Sequence, residues 1–360
     1  MESIEFGKLL ASILLVAVAI IYYIFQPALG QKPFDKDNII QEHLSIRENN
    51  DNNGDKRTCS NDNDGAGNDY LLSLIIPAYN EEERLPPMLE STIEYLHTFK
   101  DTIVQQCQEA LAVHEKNETN KKIQNPFQII IVNDGSTDTT VKSAQNILHK
   151  ISTQNNKLLQ STSITILTLQ QNSGKGAAVK AGMLHSTTTL NSKLSLMLDA
   201  DGATTFSSLH SLLQDLNSNP NAQIAFGSRA HLQEASKAQR SFTRTILMNA
   251  FHFFVEQLVG GKIKDTQCGF KLFRGEVVGG LFHNLHLQRW AFDTELIVIA
   301  ERFGFEIVEV GVEWQEVDGS KLHTGKIALI VASAGMLRDM ICVRACYSLG
   351  FWKLKAAKID

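Results

Sequence analysis

Two aspartates directly follow a short apolar run in the stretch LSLMLDADG, residues 194–202. The run has the length of one buried β-strand, so Asp199 and Asp201 are predicted to lie at the carboxyl end of that strand. Open α/β sheets bind their ligands outside this edge of the sheet. Two hard oxygen donors one residue apart also suit Mg²⁺ or Mn²⁺. Such triplets occur by chance as well, so the neighbouring sequence must decide whether this one carries function.

The sequence before this stretch repeats an order of apolar run, turn and helix. Further strands are predicted at residues 70–76, 127–132 and 164–169, with helices at 84–98 and 177–184 and a helix extended by an insertion at 100–125. Strands that alternate with helices through short, glycine-containing joints predict an α/β fold with a mostly parallel, Rossmann-like sheet and helices on both faces. The second half is less regular, with strands predicted at 224–228 and 306–316 and helices at 243–258 and 291–302.

The amino terminus carries an apolar segment, residues 9–25, that predicts a transmembrane anchor at residues 1–28. A cleaved signal peptide is the alternative, but acidic residues precede the segment and bulky residues end it, where cleavage requires small ones. Lys32 and Lys36 follow the segment whereas only Lys8 precedes it. This bias in positive charge predicts that the body of the protein faces the cytosol.

The remaining chain divides into three predicted parts. Residues 29–69 are rich in Asn and Asp and predict a flexible polar linker, and residues 70–322 form the folded domain. Residues 323–360 predict an amphipathic, membrane-proximal helix, with Trp352 and nearby lysines at the headgroups. A helix packed on the domain is the open alternative for this segment.

Composition excludes two classes of protein. The net charge is −5, from 34 Lys and Arg against 39 Asp and Glu, and a dedicated nucleic-acid binder would normally be basic. The five cysteines are scattered, odd in number and without the spacing of a zinc site. They therefore predict reduced thiols in a cytosol-facing domain rather than a disulfide framework.

Polar residues also follow two of the other predicted strands. Pro77 ends the first strand, the Tyr79 ring is suited to pack on a base, and the Glu81 carboxylate to hold a ribose hydroxyl. Asp134 follows the next strand. Asp134 as a turn or cap residue and Glu81 as part of a favourable first helical turn are the structural alternatives. Their joint occurrence at successive strand ends, followed by Asp-x-Asp, indicates a nucleotide-sugar site.

Four motifs together resemble the inverting family 2 glycosyltransferases with the GT-A fold: PAYNE at 77–81, NDGSTD at 133–138, GKGA at 174–177 and DAD at 199–201. The resemblance spans about residues 71–321. Four longer motifs are similar to the dolichyl-phosphate β-glucosyltransferase branch: DADGAT at 199–204, DTQCGFK at 265–271, RWAFD at 289–293 and GSK at 319–321. Related mannosyltransferases tend to carry glutamine two residues after the second aspartate, where this chain has Ala203.

The resemblance implies UDP-glucose as donor, dolichyl phosphate as acceptor and dolichyl β-D-glucosyl phosphate as product, for lipid-linked oligosaccharide assembly in protein N-glycosylation. It places the enzyme in the endoplasmic reticulum membrane as a single-pass protein with its catalytic domain facing the cytosol. A divalent metal, Mg²⁺ or Mn²⁺, would be bound by Asp199 and Asp201. The implied nucleotide-sugar contacts are Pro77, Tyr79, Glu81, Val132, Asp134, Lys175, Asp199, Ala200, Asp201 and Asp293.

Two carboxylates are expected to be catalytic. Asp201 would hold the ion that neutralises charge on the leaving UDP. Asp265 would orient the acceptor or act as a base, and anchoring of its own loop is the open alternative. Asp293 is either a helix-cap residue or a contact in the sugar pocket.

The acceptor phosphate is already ionised, so the reaction needs positive charge more than a general base. Arg229, Arg240, Arg244 and Lys321 are the expected contacts of the lipid phosphate. A solvated helix face is the alternative for Arg240 and Arg244. The alternative functions are transfer from GDP-mannose and a non-catalytic nucleotide-sugar-binding protein of the same fold.

Overall fold

A computed structural model describes residues 2–29, 39–42, 69–112, 126–154, 158, 161–235, 263–317 and 326–355. The helix predicted at 243–258 lies outside these ranges. The described strands are β1 (Ile39–Glu42), β2 (Leu72–Ala78), β3 (Phe127–Asn133), β4 (Thr162–Leu169), β5 (Leu194–Leu198), β6 (Ala222–Ser228), β7 (Phe270–Arg274) and β8 (Glu306–Gly311).

The described helices follow most of these strands. They are α1 (Glu2–Leu29), α2 (Leu85–Thr98), α3 (Lys100–Ala112), α4 (Thr140–Gln154), α5 (Lys175–Thr188), α6 (Leu209–Ser218), α7 (Ala230–Ala235), α8 (Gly275–His283), α9 (Phe292–Phe303) and α10 (Lys326–Ser348), with a 3₁₀ turn at Phe206–Ser208.

The strands form one mixed sheet in the order β1-β4-β3-β2-β5-β7-β6-β8. Strands β4, β3, β2 and β5 are parallel to one another, and β8 is parallel to β6. Strand β7 lies between β5 and β6 and is antiparallel to both. The α/β fold with helices on both faces is therefore confirmed, with a mixed sheet in which four of the seven strand pairings are parallel.

The sequence did not predict β7 because this strand buries two cations. Lys271 and Arg274 are 0 % and 1 % exposed. The guanidinium of Arg274 donates to the carbonyl oxygens of Ala222 (2.9 Å) and Leu216 (3.4 Å). Charged residues are almost never fully buried unless they are paired, so a hydrophobic pattern does not reveal such a strand.

Two hydrophobic cores cover the two faces of the sheet. Alternate residues of β2 point to opposite faces, so Leu74 and Ile76 join the core under α2, α3, α4 and α6, whereas Ile75 joins the core under α5, α8, α9 and α10. Helix α5 lies close to the sheet because Gly182 has no side chain. A Cβ at this position would lie 2.5 Å from Ile75 and 2.9 Å from Val132.

The segment expected to be a flexible linker contains one strand. Residues 39–42 form β1 and pair antiparallel with β4 at the edge of the sheet, from Ile39 opposite Leu169 to Glu42 opposite Ile166. This pairing corrects the expectation for these four residues. The two isoleucines that mark the strand are too short a run to stand out beside the Asn- and Asp-rich sequence that follows.

The terminal helices pack against each other. Arg338 of α10 donates to Gln26 Oε1 of α1 at 3.0 Å and lies 5.2 Å from the Tyr23 ring centroid. Further along α10, Met340, Val343 and Tyr347 are buried in the second core. The carboxyl-terminal half of α10 therefore packs on the domain, the alternative left open above.

Among the residues described here, none of the helices is apolar over a length sufficient to cross a bilayer. The transmembrane anchor at residues 1–28 stays a prediction.

Candidate active site

The carboxyl ends of β2, β3 and β5 lie side by side at the centre of the sheet. Ala78 at the end of β2 is paired with Asn133 at the end of β3, and β5 runs parallel to β2 on its other side. The residues that follow these three strands therefore meet at one rim. This arrangement brings together the predicted groups at Tyr79, Asp134 and Asp199, as parallel strand pairing requires.

The loops after β2 and β3 are joined by hydrogen bonds. The Asn80 N–H donates to Ser136 Oγ at 3.0 Å, and the Thr137 N–H donates to Asn80 Oδ1 at 2.8 Å. The Glu81 N–H donates to Thr140 Oγ1 at 2.7 Å. Asn80 has a φ of +53°, a left-handed conformation that asparagine tolerates better than most residues. These contacts fix the backbone that carries Tyr79 and Glu81.

Arg84 connects the first loop to the aspartates. Its Nε and Nη2 atoms donate to the two carboxylate oxygens of Glu81, both at 2.8 Å, and its Nη1 lies 3.9 Å from Asp201 Oδ2. Sequence reasoning missed Arg84, although the Glu-x-x-Arg spacing just before α2 is a signal for such a pair. Glu81 is therefore held in a two-point ion pair beside the second aspartate.

Asp134 holds the turn that leads into α5. Its two carboxylate oxygens accept the N–H groups of Ser173 at 2.7 Å and Gly174 at 2.8 Å. Burial raises the pKa of Asp134, and these two N–H groups together with the charge of Arg289 oppose that rise without cancelling it. The side chain thus has a structural task, which is to set the position of the residue that follows Gly174, Lys175.

Two expected contacts offer no side chain to this rim. Val132 is fully buried in the second core, and Ala200 is 4 % exposed in the first core. Their role as contacts of the nucleotide sugar stays a prediction. Pro77 is half-buried at the end of β2, in register with Val132.

Asp199 lies between a cation and a glycine. Its Oδ1 atom is buried and accepts no hydrogen bond of regular geometry among the described residues, but Lys175 Nζ lies 2.7 Å from it as an ion pair. On the other side, a Cβ at Gly269 would lie 1.9 Å from Asp199 Oδ2. The carboxylate therefore occupies space that any other residue at position 269 would fill.

Asp201 shapes the turn after β5 and remains accessible. Its Oδ1 atom accepts the Ala203 N–H at 3.0 Å, and Gly202 between them has a φ of +69°. The side chains of Asp199 and Asp201 are each 31 % exposed. Both carboxylates thus face an open rim while their positions are fixed by the protein.

Close to the Lys175–Asp199 ion pair lies a second, buried ion pair between Lys271 and Asp293. Lys271 Nζ lies 2.6 Å from Asp293 Oδ1 and also donates to the Cys268 carbonyl. Burial raises the pKa of Asp293, opposed by Lys271 and Lys175. Burial by itself would lower the pKa of Lys175, but the charges of Asp199, Asp293 and Asp201 outweigh it and raise that pKa. Lys175 is therefore a fully charged ammonium at neutral pH.

Asp265 is locked to Arg229. It accepts the Arg229 backbone N–H at 2.9 Å, Nε at 2.7 Å and Nη2 at 2.9 Å. Its own N–H donates to Glu309 Oε1 of β8 at 2.8 Å. Burial would raise the pKa of Asp265, but the bonds and charge of Arg229 hold that pKa below its usual value. These contacts favour a structural role for Asp265, in anchoring its loop, over a role as a general base.

The remaining expected acceptor residues, Arg240, Arg244 and Lys321, lie outside the described residues. Arg229 is placed at the end of β6, where its guanidinium carbon lies 5.5 Å from the Trp314 ring centroid and its side chain is 25 % exposed. Of the predicted acceptor set, the structure therefore positions one cation, and Asp265 determines its orientation.

Among the described residues, the candidate donor set for a metal ion is the pair of carboxylates at the end of β5. No group of three or more His, Cys, Asp or Glu residues that could hold a metal occurs in the part of the chain that the structure describes. Asp199 and Asp201 offer accessible, hard oxygen donors from one turn. This set fits a divalent ion that takes its other ligands from a bound diphosphate and water.

The sequence matches the model of glycosyl transferase family 2 over residues 73–282. It is 40 % identical over 290 residues to the dolichyl-phosphate beta-glucosyltransferase of Dictyostelium discoideum, covering 79 % of this chain and 77 % of the relative. The Homo sapiens protein of the same description is 38 % identical over 291 residues, covering 80 % and 79 %. The Saccharomyces cerevisiae protein is 34 % identical over 296 residues, covering 79 % and 77 %.

Among solved structures, the UDP complex of glucosyl-3-phosphoglycerate synthase from Mycobacterium tuberculosis is similar with a TM-score of 0.47 at 13 % identity, covering 76 % of this chain and 80 % of that chain. The family match covers more than half of the chain and includes all three strand-end loops of the rim. The curated relatives extend the similarity over about four fifths of the sequence. The chain therefore belongs to glycosyl transferase family 2 and, within it, to the dolichyl-phosphate β-glucosyltransferases.

Proposed function

We propose that this enzyme transfers glucose from UDP-glucose to dolichyl phosphate with inversion at the anomeric carbon. The products are dolichyl β-D-glucosyl phosphate and UDP. The observation that carries the proposal is the cluster of Asp199, Asp201 and Lys175 at the carboxyl end of β5, where two accessible carboxylates lie beside a charged ammonium. Such a cluster suits the diphosphate of a nucleotide sugar together with a divalent ion.

The donor side of the reaction follows from these charges. Asp199 and Asp201 would hold a divalent ion, Mg²⁺ or Mn²⁺, which when bound supplies positive charge to the diphosphate of the leaving UDP. Lys175, which is paired with Asp199 at 2.7 Å, adds an ammonium on the same side. Arg84 bridges Glu81 and Asp201, so the first loop, which carries Tyr79, would lie beside the nucleotide.

The acceptor side needs no proton transfer. An oxygen of the ionised lipid phosphate forms a bond to C1 of glucose while the bond from C1 to the UDP oxygen breaks, and the bonding electron pair leaves with UDP. A general base is unnecessary because the attacking oxygen carries no proton. The ion pair of Asp265 with Arg229 agrees with this scheme, since Arg229 keeps the Asp265 carboxylate ionised and bound to its guanidinium. Arg229 then provides positive charge towards the lipid phosphate.

We extend the proposal to the location of the enzyme. The amino-terminal helix would anchor the protein in the endoplasmic reticulum membrane, with the catalytic domain in the cytosol, where its product serves lipid-linked oligosaccharide assembly. Support comes from the apolar sequence at residues 9–25 and from the apolar side chains that α1 exposes, among them Leu15 at 71 % and Ile20 at 53 %. Large exposed apolar patches are typical of membrane or protein contact.

The test is transfer of radiolabelled sugar to dolichyl phosphate by the full chain in detergent. UDP-glucose and GDP-mannose are offered separately, each with Mn²⁺, with Mg²⁺ and with a chelator. We expect labelled lipid from UDP-glucose alone and only in the presence of a divalent ion. Product from GDP-mannose would contradict the donor, and full activity in chelator would contradict the role of Asp199 and Asp201 as metal ligands.

A further inference from the structure

The loop at residues 286–290 forms a wall beside the donor cluster. The Gln288 carbonyl accepts the Ala177 N–H at 3.1 Å in the first turn of α5. The Trp290 ring centroid lies 5.7 Å from Lys175 Nζ. Glycine is needed at position 174, just before α5, because a Cβ there would lie 2.5 Å from the Gln288 carbonyl oxygen. The position of this loop therefore determines where Lys175 lies relative to Asp199.

A buried carboxylate, Glu295 of α9, holds the beginning of this loop. Glu295 is 0 % exposed and accepts the His286 N–H at 3.0 Å and the Leu287 N–H at 2.6 Å. His286 Nδ1 lies 2.9 Å from the same carboxylate. The fourth partner comes from the end of α10, where the Tyr347 hydroxyl donates to Glu295 Oε1 at 3.1 Å. The carboxyl-terminal helix thus shares the residue that fixes the loop.

The residues after α10 contact the same loop. Trp352 stacks on His286 with ring centroids 4.1 Å apart and ring planes 4° apart. Asn284, just before the loop, donates through its side chain to the Lys355 carbonyl at 3.0 Å, and the Lys355 N–H donates back to Asn284 Oδ1 at 2.7 Å. The family model matches the chain only as far as residue 282. The loop at 286–290 is therefore held in place by residues that lie outside this match.

We propose that Tyr347 and Trp352 are positioning residues for donor binding. They hold the loop at 286–290, and through it Lys175, in the geometry that receives the donor diphosphate. The inference rests on the proposed function, because it assigns the effect to UDP-glucose. A purely structural role would affect the stability of the fold, whereas this role affects one substrate more than the other.

The experiment compares the full-length wild-type enzyme with Tyr347→Phe, Trp352→Ala and Trp352→Phe. Tyr347→Phe removes one hydroxyl and keeps the ring, and Trp352→Phe keeps a ring that can stack on His286. Leu349→Ala is the control, because Leu349 lies between the two positions and is 65 % exposed. For each protein, KM for UDP-glucose, KM for dolichyl phosphate and kcat are measured. Hydrogen exchange of the peptide that contains residues 284–291 is recorded without any substrate.

We expect Tyr347→Phe and Trp352→Ala to raise KM for UDP-glucose about three- to tenfold, the range for loss of one buried hydrogen bond or stacked ring. KM for dolichyl phosphate should change less than twofold, Trp352→Phe should recover most of the loss, and Leu349→Ala should match the wild type. Exchange in the loop peptide should become faster in the two damaging variants while β2 and β3 keep their protection, because the loop loses partners and the central sheet does not.

Unchanged exchange in the loop peptide would overturn the inference, and so would faster exchange with equal changes in both KM values. A wild-type enzyme that transfers no glucose from UDP-glucose would instead contradict the proposed function. The exchange measurement needs no substrate, so in that case it still decides whether Tyr347 and Trp352 hold the loop.

Discussion

Gly269 leaves open the space that the Asp199 carboxylate occupies. A Cβ at position 269 would lie 1.9 Å from Asp199 Oδ2 and 2.1 Å from its carboxyl carbon. No real Cβ contact is this short, so any larger residue must displace either the aspartate or the chain between β6 and β7. The glycine of the motif at residues 265–271 is therefore explained by the first aspartate of the motif at 199–201, although the two motifs are distant in sequence.

The first prediction is that Gly269→Ala disables the enzyme by moving Asp199. We expect kcat/KM for UDP-glucose to fall at least about a hundredfold, because small displacements of a catalytic group have large effects on rate. Gly279→Ala is the matched control, since a Cβ at this position in α8 would meet nothing within 4 Å. Activity is measured beside thermal unfolding of both variants. Normal turnover by a folded Gly269→Ala enzyme would show that Asp199 can be displaced without loss.

The second prediction concerns the ammonium beside Asp199. Lys175→Met should lower kcat/KM by about tenfold to a hundredfold and raise KM for UDP-glucose, because a charge-assisted contact with the diphosphate is lost. The uncompensated Asp199 charge should at the same time strengthen binding of Mn²⁺ alone, which calorimetry measures. Lys142→Met, an exposed lysine on α4, is the control for loss of one positive charge. Weaker metal binding by Lys175→Met would contradict this assignment.

The structure shows which parts of the site the sequence was able to predict. Strands β2 to β5 are apolar runs that end in polar residues, and parallel pairing then forces Asp134 and Asp199 to one rim. Contacts between distant segments carry no such local pattern. The buried cations Lys271 and Arg274 interrupt the apolar pattern of β7, and the partner of Lys271, Asp293, lies on a different element, so the strand was not recognised.

The expected roles of single residues were harder to predict than their location. Asp134 and Asp265 both lie where the sequence indicated, but the structure uses their carboxylates to hold backbone N–H groups and Arg229. A carboxylate at a strand end serves a loop or a ligand equally well by its chemistry. Only the partners within hydrogen-bonding distance distinguish the two roles, and these depend on the three-dimensional arrangement.

The third prediction distinguishes Asp201, one of the two proposed metal ligands, from other surface carboxylates. Asp201→Asn should abolish metal-dependent transfer and reduce Mn²⁺-dependent UDP binding, because a neutral amide is a much weaker ligand than a carboxylate. The Ala203 N–H can still donate to the amide oxygen, so the turn should remain folded. Asp101→Asn, at an exposed position on α3, is the matched control. UDP affinity that is equal with and without Mn²⁺ in the wild type would refute the role of Asp201.

The fourth prediction uses the ion pair of Asp265 with Arg229 and its dependence on pH. The pKa of Asp265 is lower in the folded protein than its usual value, so its stabilising effect is present above the unfolded pKa and is lost as pH falls through the folded pKa. At pH 7, Asp265→Asn should reduce the free energy of unfolding by about 3 kcal/mol, because the partly buried Arg229 loses its counter-charge. Asp101→Asn should change it by less than about 0.5 kcal/mol.

Below about pH 4, the usual pKa of an aspartate, the difference in the free energy of unfolding between Asp265→Asn and the wild type should shrink steadily as the pH is lowered. Urea unfolding at a series of pH values from 7 to the acid range measures this change. If Asp265 were instead a base with a raised pKa, the wild type would gain stability relative to Asp265→Asn as the pH falls through that pKa, so Asp265→Asn would be least destabilising near pH 7. The transfer rate of the wild type would fall over the same interval. A difference that stays constant into the acid range would show that the charge of Asp265 contributes nothing to holding Arg229.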